Sequence, residues 1–232
     1  MKLNADFSQR VAIDTTSQPW VASPLPGVER RMLDRIGDEV ARATSLVRYA
    51  PDSYFSPHEH SGGEEFLVLD GVFSDEHGDY GPGMYLRNPI GSSHKPFSRD
   101  GCTIFVKLWQ MDPEDQEFVR IDTASAAWEP WTMAGSADPM DGVEIIRLAE
   151  RPGERVLMMR LRPGAVVPTH DHPGGEEFFV LDGELADQNG SYPKGTWLRM
   201  PAGSSHNLTS EKGCTIWLKL GHLAGPIEAP GT

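Results

Sequence analysis

The sequence predicts an all-β chain of two tandem antiparallel barrels or jelly rolls, on three observations. Short apolar runs are closed by turn dipeptides: Phe66-Leu67-Val68-Leu69 before Asp70-Gly71, and Phe178-Phe179-Val180-Leu181 before Asp182-Gly183. Such runs are the pattern of buried strands. Gly (24) and Pro (19) are abundant, and no long amphipathic helix can be drawn, which favours strands joined by turns. The stretch Pro57-His58-Glu59-His60-Ser61-Gly62-Gly63-Glu64 returns as Thr169-His170-Asp171-His172-Pro173-Gly174-Gly175-Glu176, an offset of 112 residues from His58 to His170. A repeat of this length in a chain of 232 residues implies two domains of ordinary size, here 1–112 and 113–232.

Each element has its own justification. Arg10-Val11-Ala12-Ile13-Asp14-Thr15 reads as a short strand, and a loop with Trp20 follows. Val28 to Leu33 fits a strand or a helical turn, because its periodicity does not choose. Ala43 to Tyr49, Met84 to Arg87 and Thr103 to Trp109 are strand candidates in the first half. The acidic stretch Asp112-Pro113-Glu114-Asp115-Gln116-Glu117 is a surface connector. Phe118-Val119-Arg120-Ile121-Asp122-Thr123 then resembles Arg10 to Thr15, so each half begins with a short strand and a tryptophan-containing loop (Trp128 and Trp131 in the second). Val156 to Leu161, Trp197 to Met200 and Thr215 to Leu220 complete the second half.

Composition excludes several function classes. Lys plus Arg total 21 against 34 Asp plus Glu, a formal charge of −13. A chain this acidic lacks the basic surface that neutralises phosphates or docks on anionic lipid, so nucleic acid and membrane partners are not expected. The N-terminus has no apolar leader and no long apolar run occurs, which predicts a cytoplasmic protein. The two cysteines, Cys102 and Cys214, take equivalent places in Gly-Cys-Thr-Ile. Repeat symmetry puts them in separate barrels as buried free thiols, not as a disulfide. The aromatic-rich strands are compatible with a homodimer, with no interface identified.

The repeated histidines carry the chemistry. His58 and His60 are two apart, so both side chains leave one face of a strand. Glu64 opens the next strand after a Gly-Gly turn and is expected to face the same point, with Glu65 on the other side. A third histidine, His94, follows Pro89-Ile90-Gly91-Ser92-Ser93. The second half repeats the set as His170, His172, Glu176 and His206. Three imidazoles and one carboxylate suit a divalent transition metal such as zinc, iron, manganese, nickel or copper, and affinity order alone does not choose among them. Arg87 and Arg199 read as structural ion pairs before substrate anchors. Phe66, Phe97, Phe178 and Trp217 read as core. His77 and His222 lie outside the repeat and read as ordinary surface or loop histidines. No nucleophile triad or dinucleotide-binding glycine motif is present.

These residues resemble the cupin superfamily. Its first motif is matched by Gly164, His170, His172, Glu176 and Gly183, and in the first half by His58, His60, Glu64 and Gly71, with Asp52 in place of the leading glycine. Its second motif is matched by Gly83, Pro89, Gly91 and His94, and by Gly195, Pro201, Gly203 and His206, with Ser98 and Ser210 in place of the final Asn. The chain therefore resembles a bicupin, a tandem pair of double-stranded β-helix barrels. The run Leu-Val-Leu-Asp-Gly, Tyr80-Gly81-Pro82-Gly83 and Gly-Cys-Thr-Ile make it most similar to the cupin domain of ChrR-type anti-sigma factors. That resemblance implies zinc on the His, His, Glu, His set and a regulatory or sensor role in oxidative stress. The resemblance also implies a sigma factor as a protein partner, which the absence here of the Cys-x-x-Cys of the family's sigma-holding zinc domain puts in doubt. The alternative reading is an Fe²⁺-dependent dioxygenase acting on a small organic substrate.

Overall fold

The computed structural model describes residues 1–133 and 135–231. Apart from a 3-10 turn at Thr15–Ser17, every regular element among them is a strand. Two compact units emerge, and each is a β-barrel with the same strand order. In the first unit the main sheet runs Lys2–Leu3, Val28–Gly37, Ala41–Tyr49, Cys102–Leu108, Glu64–Gly71, Met84–Asn88, Val119–Asp122. In the second it runs Glu129–Pro130, Val143–Arg151, Glu154–Leu161, Cys214–Leu220, Glu176–Asp187, Thr196–Met200, Val11–Asp14. All pairings are antiparallel, as the turn-rich sequence predicts.

The short opening strands form, but each closes the sheet of the opposite half. Val11–Asp14 pairs with Thr196–Met200 in the second unit, and Val119–Asp122 pairs with Met84–Asn88 in the first. Asp6–Ser17 accordingly belongs to the second unit and the chain up to Ser125 to the first. The ambiguous stretch at Val28 is a strand, Val28–Gly37. The turn expected at Asp182-Gly183 is instead a bulge inside a longer strand, Glu176–Asp187, which bends there to join the second sheet.

Side chains along the central strand of each barrel alternate. Glu64, Phe66 and Val68 are partners of the interior, and Phe66 and Val68 pack with Val47, Phe73, Leu86, Ile104 and Val106. Phe178 and Val180 repeat this with Leu157, Leu198, Ile216 and Leu218. Both cysteines are buried free thiols, and burial pushes the Cys102 thiol up to about 11. Asp52 adopts φ +56°, the same left-handed region as Gly164 at +80°. The missing motif glycine thus leaves the turn intact, because a short Asp side chain tolerates that region.

Candidate metal centres

Two strands and a tight turn build each site. His58 lies opposite His94 in one antiparallel pair, and His170 lies opposite His206 in the other. The Gly63 and Gly175 turns, both at positive φ, return the chain so that Glu64 and Glu176 open the central strand. In the first barrel the metal-ligand-type atoms of His58, His60, Glu64 and His94 lie within 4.8 Å of one another. The same holds for His170, His172, Glu176 and His206 in the second. The structure thus brings together all eight residues in the two sets the repeat predicts.

The outward ring nitrogens of His58, His60, His94 and His170 meet scaffold oxygens, which fixes their inward ones, whereas His206 Nδ1 makes no hydrogen bond among the described residues. His58 Nδ1 faces the Ser56 carbonyl at 3.0 Å, and His170 Nδ1 faces the Pro168 carbonyl at 2.8 Å. His60 Nδ1 meets Ser92 Oγ at 3.0 Å. His94 Nδ1 is 3.3 Å from Asp75 Oδ2, and His206 Nδ1 is 3.7 Å from Asp187 Oδ2. Inside, His60 Nε2 and His94 Nε2 are 3.2 Å apart, and His172 Nε2 and His206 Nε2 are 3.0 Å apart. Glu64 Oε2 lies 3.4 Å from His60 Nε2, and Glu176 Oε2 lies 3.1 Å from His206 Nε2. Buried lone pairs crowded this closely, with their far sides anchored, fit a divalent transition metal.

The electrostatics of the two sites differ. Burial alone would raise the Glu64 carboxyl, but His60, His94 and a hydrogen bond from Asn88 outweigh it and hold it below its ordinary value. Asn88 Nδ2 donates to Glu64 Oε2 at 2.8 Å, and Arg120 fixes that amide by donating to Asn88 Oδ1 at 2.6 Å. His60 is lowered by burial. Burial also acts against protonated His94, but Asp75 and Glu64 reverse this and raise it. In the second barrel Met200 stands where Asn88 stands in the first. Glu176 Oε2 makes no hydrogen bond among the described residues, and burial raises its carboxyl to about 8. Burial and the neighbouring histidines lower His172 to about 3. Burial lowers His206 to about 4.

The other expectations sort themselves against this geometry. Glu65 and Glu177 point away from the clusters, as alternation requires. Arg87 is buried in an ion-pair network, donating to Glu65 Oε2 at 3.1 Å and Asp115 Oδ2 at 2.6 Å. Arg199 lies 4.0 Å over the Phe7 ring and donates to the Asp6 carbonyl. Phe66, Phe178 and Trp217 are buried, and Phe97 is half-buried beneath Arg99. His77 is exposed. His222 corrects the surface assignment: its side chain is 3% exposed and Nε2 lies 3.2 Å from Glu177 Oε2, a burial that a lone histidine outside the repeat does not reveal. Sequence reasoning also missed Asp75 and Asp187. A signal existed, since Asp75-Glu76-His77-Gly78-Asp79-Tyr80 and Asp187-Gln188-Asn189-Gly190-Ser191-Tyr192 share Asp, Gly and Tyr at the same repeat offset.

The model of the ChrR Cupin-like domain family matches residues 8–112 and again 116–224. The chain belongs to this family. Solved cupin-fold proteins agree in fold. A proposed dioxygenase from Nostoc punctiforme is 16% identical with a TM-score of 0.76, over 96% of this chain and 86% of that one. A proposed glyoxylate-induced protein from Pseudomonas aeruginosa is 13% identical with a TM-score of 0.71, over 94% and 90%. The oxalate decarboxylase of Lactobacillus farciminis is 10% identical with a TM-score of 0.62, over 94% and 87%. No curated protein matches the chain in sequence. No helix among the described residues is long and apolar enough to cross a membrane.

Proposed function

We infer that this ChrR-like bicupin is a two-site metalloprotein with a regulatory or sensor role. His58, His60, Glu64 and His94 hold one divalent ion, zinc by preference, and His170, His172, Glu176 and His206 hold the other. The observation that carries this is the donor set itself: in each barrel three imidazoles and one carboxylate converge, with outward ring nitrogens facing scaffold oxygens. When bound, the metal supplies Lewis-acid or redox chemistry to an oxidised or reactive small molecule. The chain's own part is to fix the imidazoles through Ser56, Ser92, Pro168 and Asp75, and to keep the carboxylate buried.

A second reading is an Fe²⁺-dependent dioxygenase. It is favoured by the cavity of about 670 Å³ beside His170, His172 and Glu176, a size ordinary for an organic substrate. The two readings part on turnover. Iron-loaded protein in an oxygen electrode with diketones, hydroxyaryl ketones and thiols is expected to consume no oxygen if the role is sensory. Substrate-dependent uptake that is lost in His172→Ala would establish the dioxygenase instead. Retention of both metals in His172→Ala would overturn the ligand assignment.

A further inference from the structure

Both barrels open onto their histidine clusters, but the openings differ in size. The first cavity has a volume of about 310 Å³ and the second about 670 Å³. Two residue exchanges at matched repeat positions accompany this difference. Phe55 and Trp109 line the first cavity, whereas Val167 and Gly221 line the second. Trp109 is held at φ +61°, a region that an L side chain rarely adopts, while Gly221 sits there at +86° without strain. The Phe55 ring also lies 5.8 Å from the His58 ring, so aromatic bulk stands directly beside the first cluster.

The wall of the second cavity is largely apolar, with Trp131, Met133, Val167, Leu208, Leu218 and Leu220 facing it. Charges of both signs meet at its rim. Arg151 and Arg155 stand beside Glu150, Glu154 and Asp171, and Glu154 is paired with Lys219 at 3.2 Å. Such a rim gives no net attraction for an anion or a cation. At the inner end, Glu176 has no amide partner to fix it, unlike Glu64 with Asn88.

We propose that the second barrel alone is the ligand-binding site, and that its ligand is an uncharged, mainly apolar organic molecule carrying an oxygen donor pair for the metal. The first barrel, narrowed by Phe55 and Trp109, holds its metal as a structural centre. This deepens the proposed function and rests on its assignment of a metal to each cluster.

The test uses full-length protein loaded with Co²⁺, whose visible absorption reports ligands arriving at the metal, together with calorimetry for stoichiometry. Three probes share a compact donor pair: hydroxyacetone, 2-hydroxy-1-phenylethanone and mandelate. The phenyl ketone is expected to bind once per chain, about tenfold more tightly than hydroxyacetone, from burial of the ring. It should also bind more tightly than mandelate. Val167→Phe should weaken it at least tenfold. Ala224→Trp, at an exposed position on the same cavity, serves if Val167→Phe does not fold. Phe55→Val combined with Trp109→Gly should open the first cavity and raise the stoichiometry to two. Two equal sites in the unaltered protein, tighter mandelate, or indifference to the cavity-filling variants would each overturn the proposal. Protein that takes up no cobalt would instead overturn the metal reading beneath it.

Discussion

In the first barrel the ligand-type carboxylate Glu64 accepts a hydrogen bond from Asn88, itself held by Arg120. In the second barrel Met200 stands at the matching position, and Glu176 Oε2 lies near His172 and His206 without a hydrogen bond among the described residues. The Asn88 hydrogen bond adds to the pull of His60 and His94 that holds Glu64 below its ordinary value, whereas burial raises Glu176 to about 8. On the opposite face of the central strand, Arg87 is paired with Glu65 and Asp115, and Arg199 lies over the Phe7 ring and donates to the Asp6 carbonyl. Identical ligand letters at identical spacing therefore do not make identical sites. The surroundings decide how much charge each site carries before a metal arrives.

The largest expected effect on stability comes from the buried ion pairs. Asp115→Ala removes one of the carboxylates paired with the buried Arg87 and should cost about 3–5 kcal/mol. Phe7→Ala removes the cation–π contact with Arg199 and should cost about 1–2 kcal/mol. Urea denaturation of both variants checks the difference, and equal losses would dissolve the contrast.

Exchanging the amide is the next step down. Asn88→Met should weaken metal binding in the first barrel by about 10–100-fold, as loss of an orienting partner usually does. Met200→Asn should strengthen the second, and competition titration against a chelator measures both.

The third expectation concerns pH. A metal displaces the proton of Glu176, so second-barrel affinity should rise with pH through pH 7 and level off above about 8. In the first barrel Glu64 is already ionised at neutral pH and His94 is the proton to be lost, so affinity should level off after the raised His94 titrates. Calorimetry of His60→Ala and His172→Ala at several pH values separates the two curves. The smallest effect belongs to Asp52→Gly, which restores the motif glycine at φ +56° and should raise stability by less than about 1 kcal/mol.

The two His, His, Glu, His clusters and the barrels were legible because repetition at one offset marks them twice. The strand exchange was not. Val11–Asp14 and Val119–Asp122 look alike in sequence, and likeness does not say which sheet each will pair with. Their spacing departs from the repeat offset, which was the available clue. The role of Asn88 was invisible for a different reason: a side-chain hydrogen bond between strands depends on register, here Asn88 opposite Glu64. His222 was read as a surface residue because a single histidine carries no pattern, and only the fold places it against Glu177.

The most direct test of the central claim is the metal content of untagged protein purified without chelators, with His60→Ala and His172→Ala alongside. About two divalent ions per unaltered chain, and about one in each variant, is the predicted result for two independent four-residue sites. A single ion in the unaltered protein, or two retained in either variant, would contradict it.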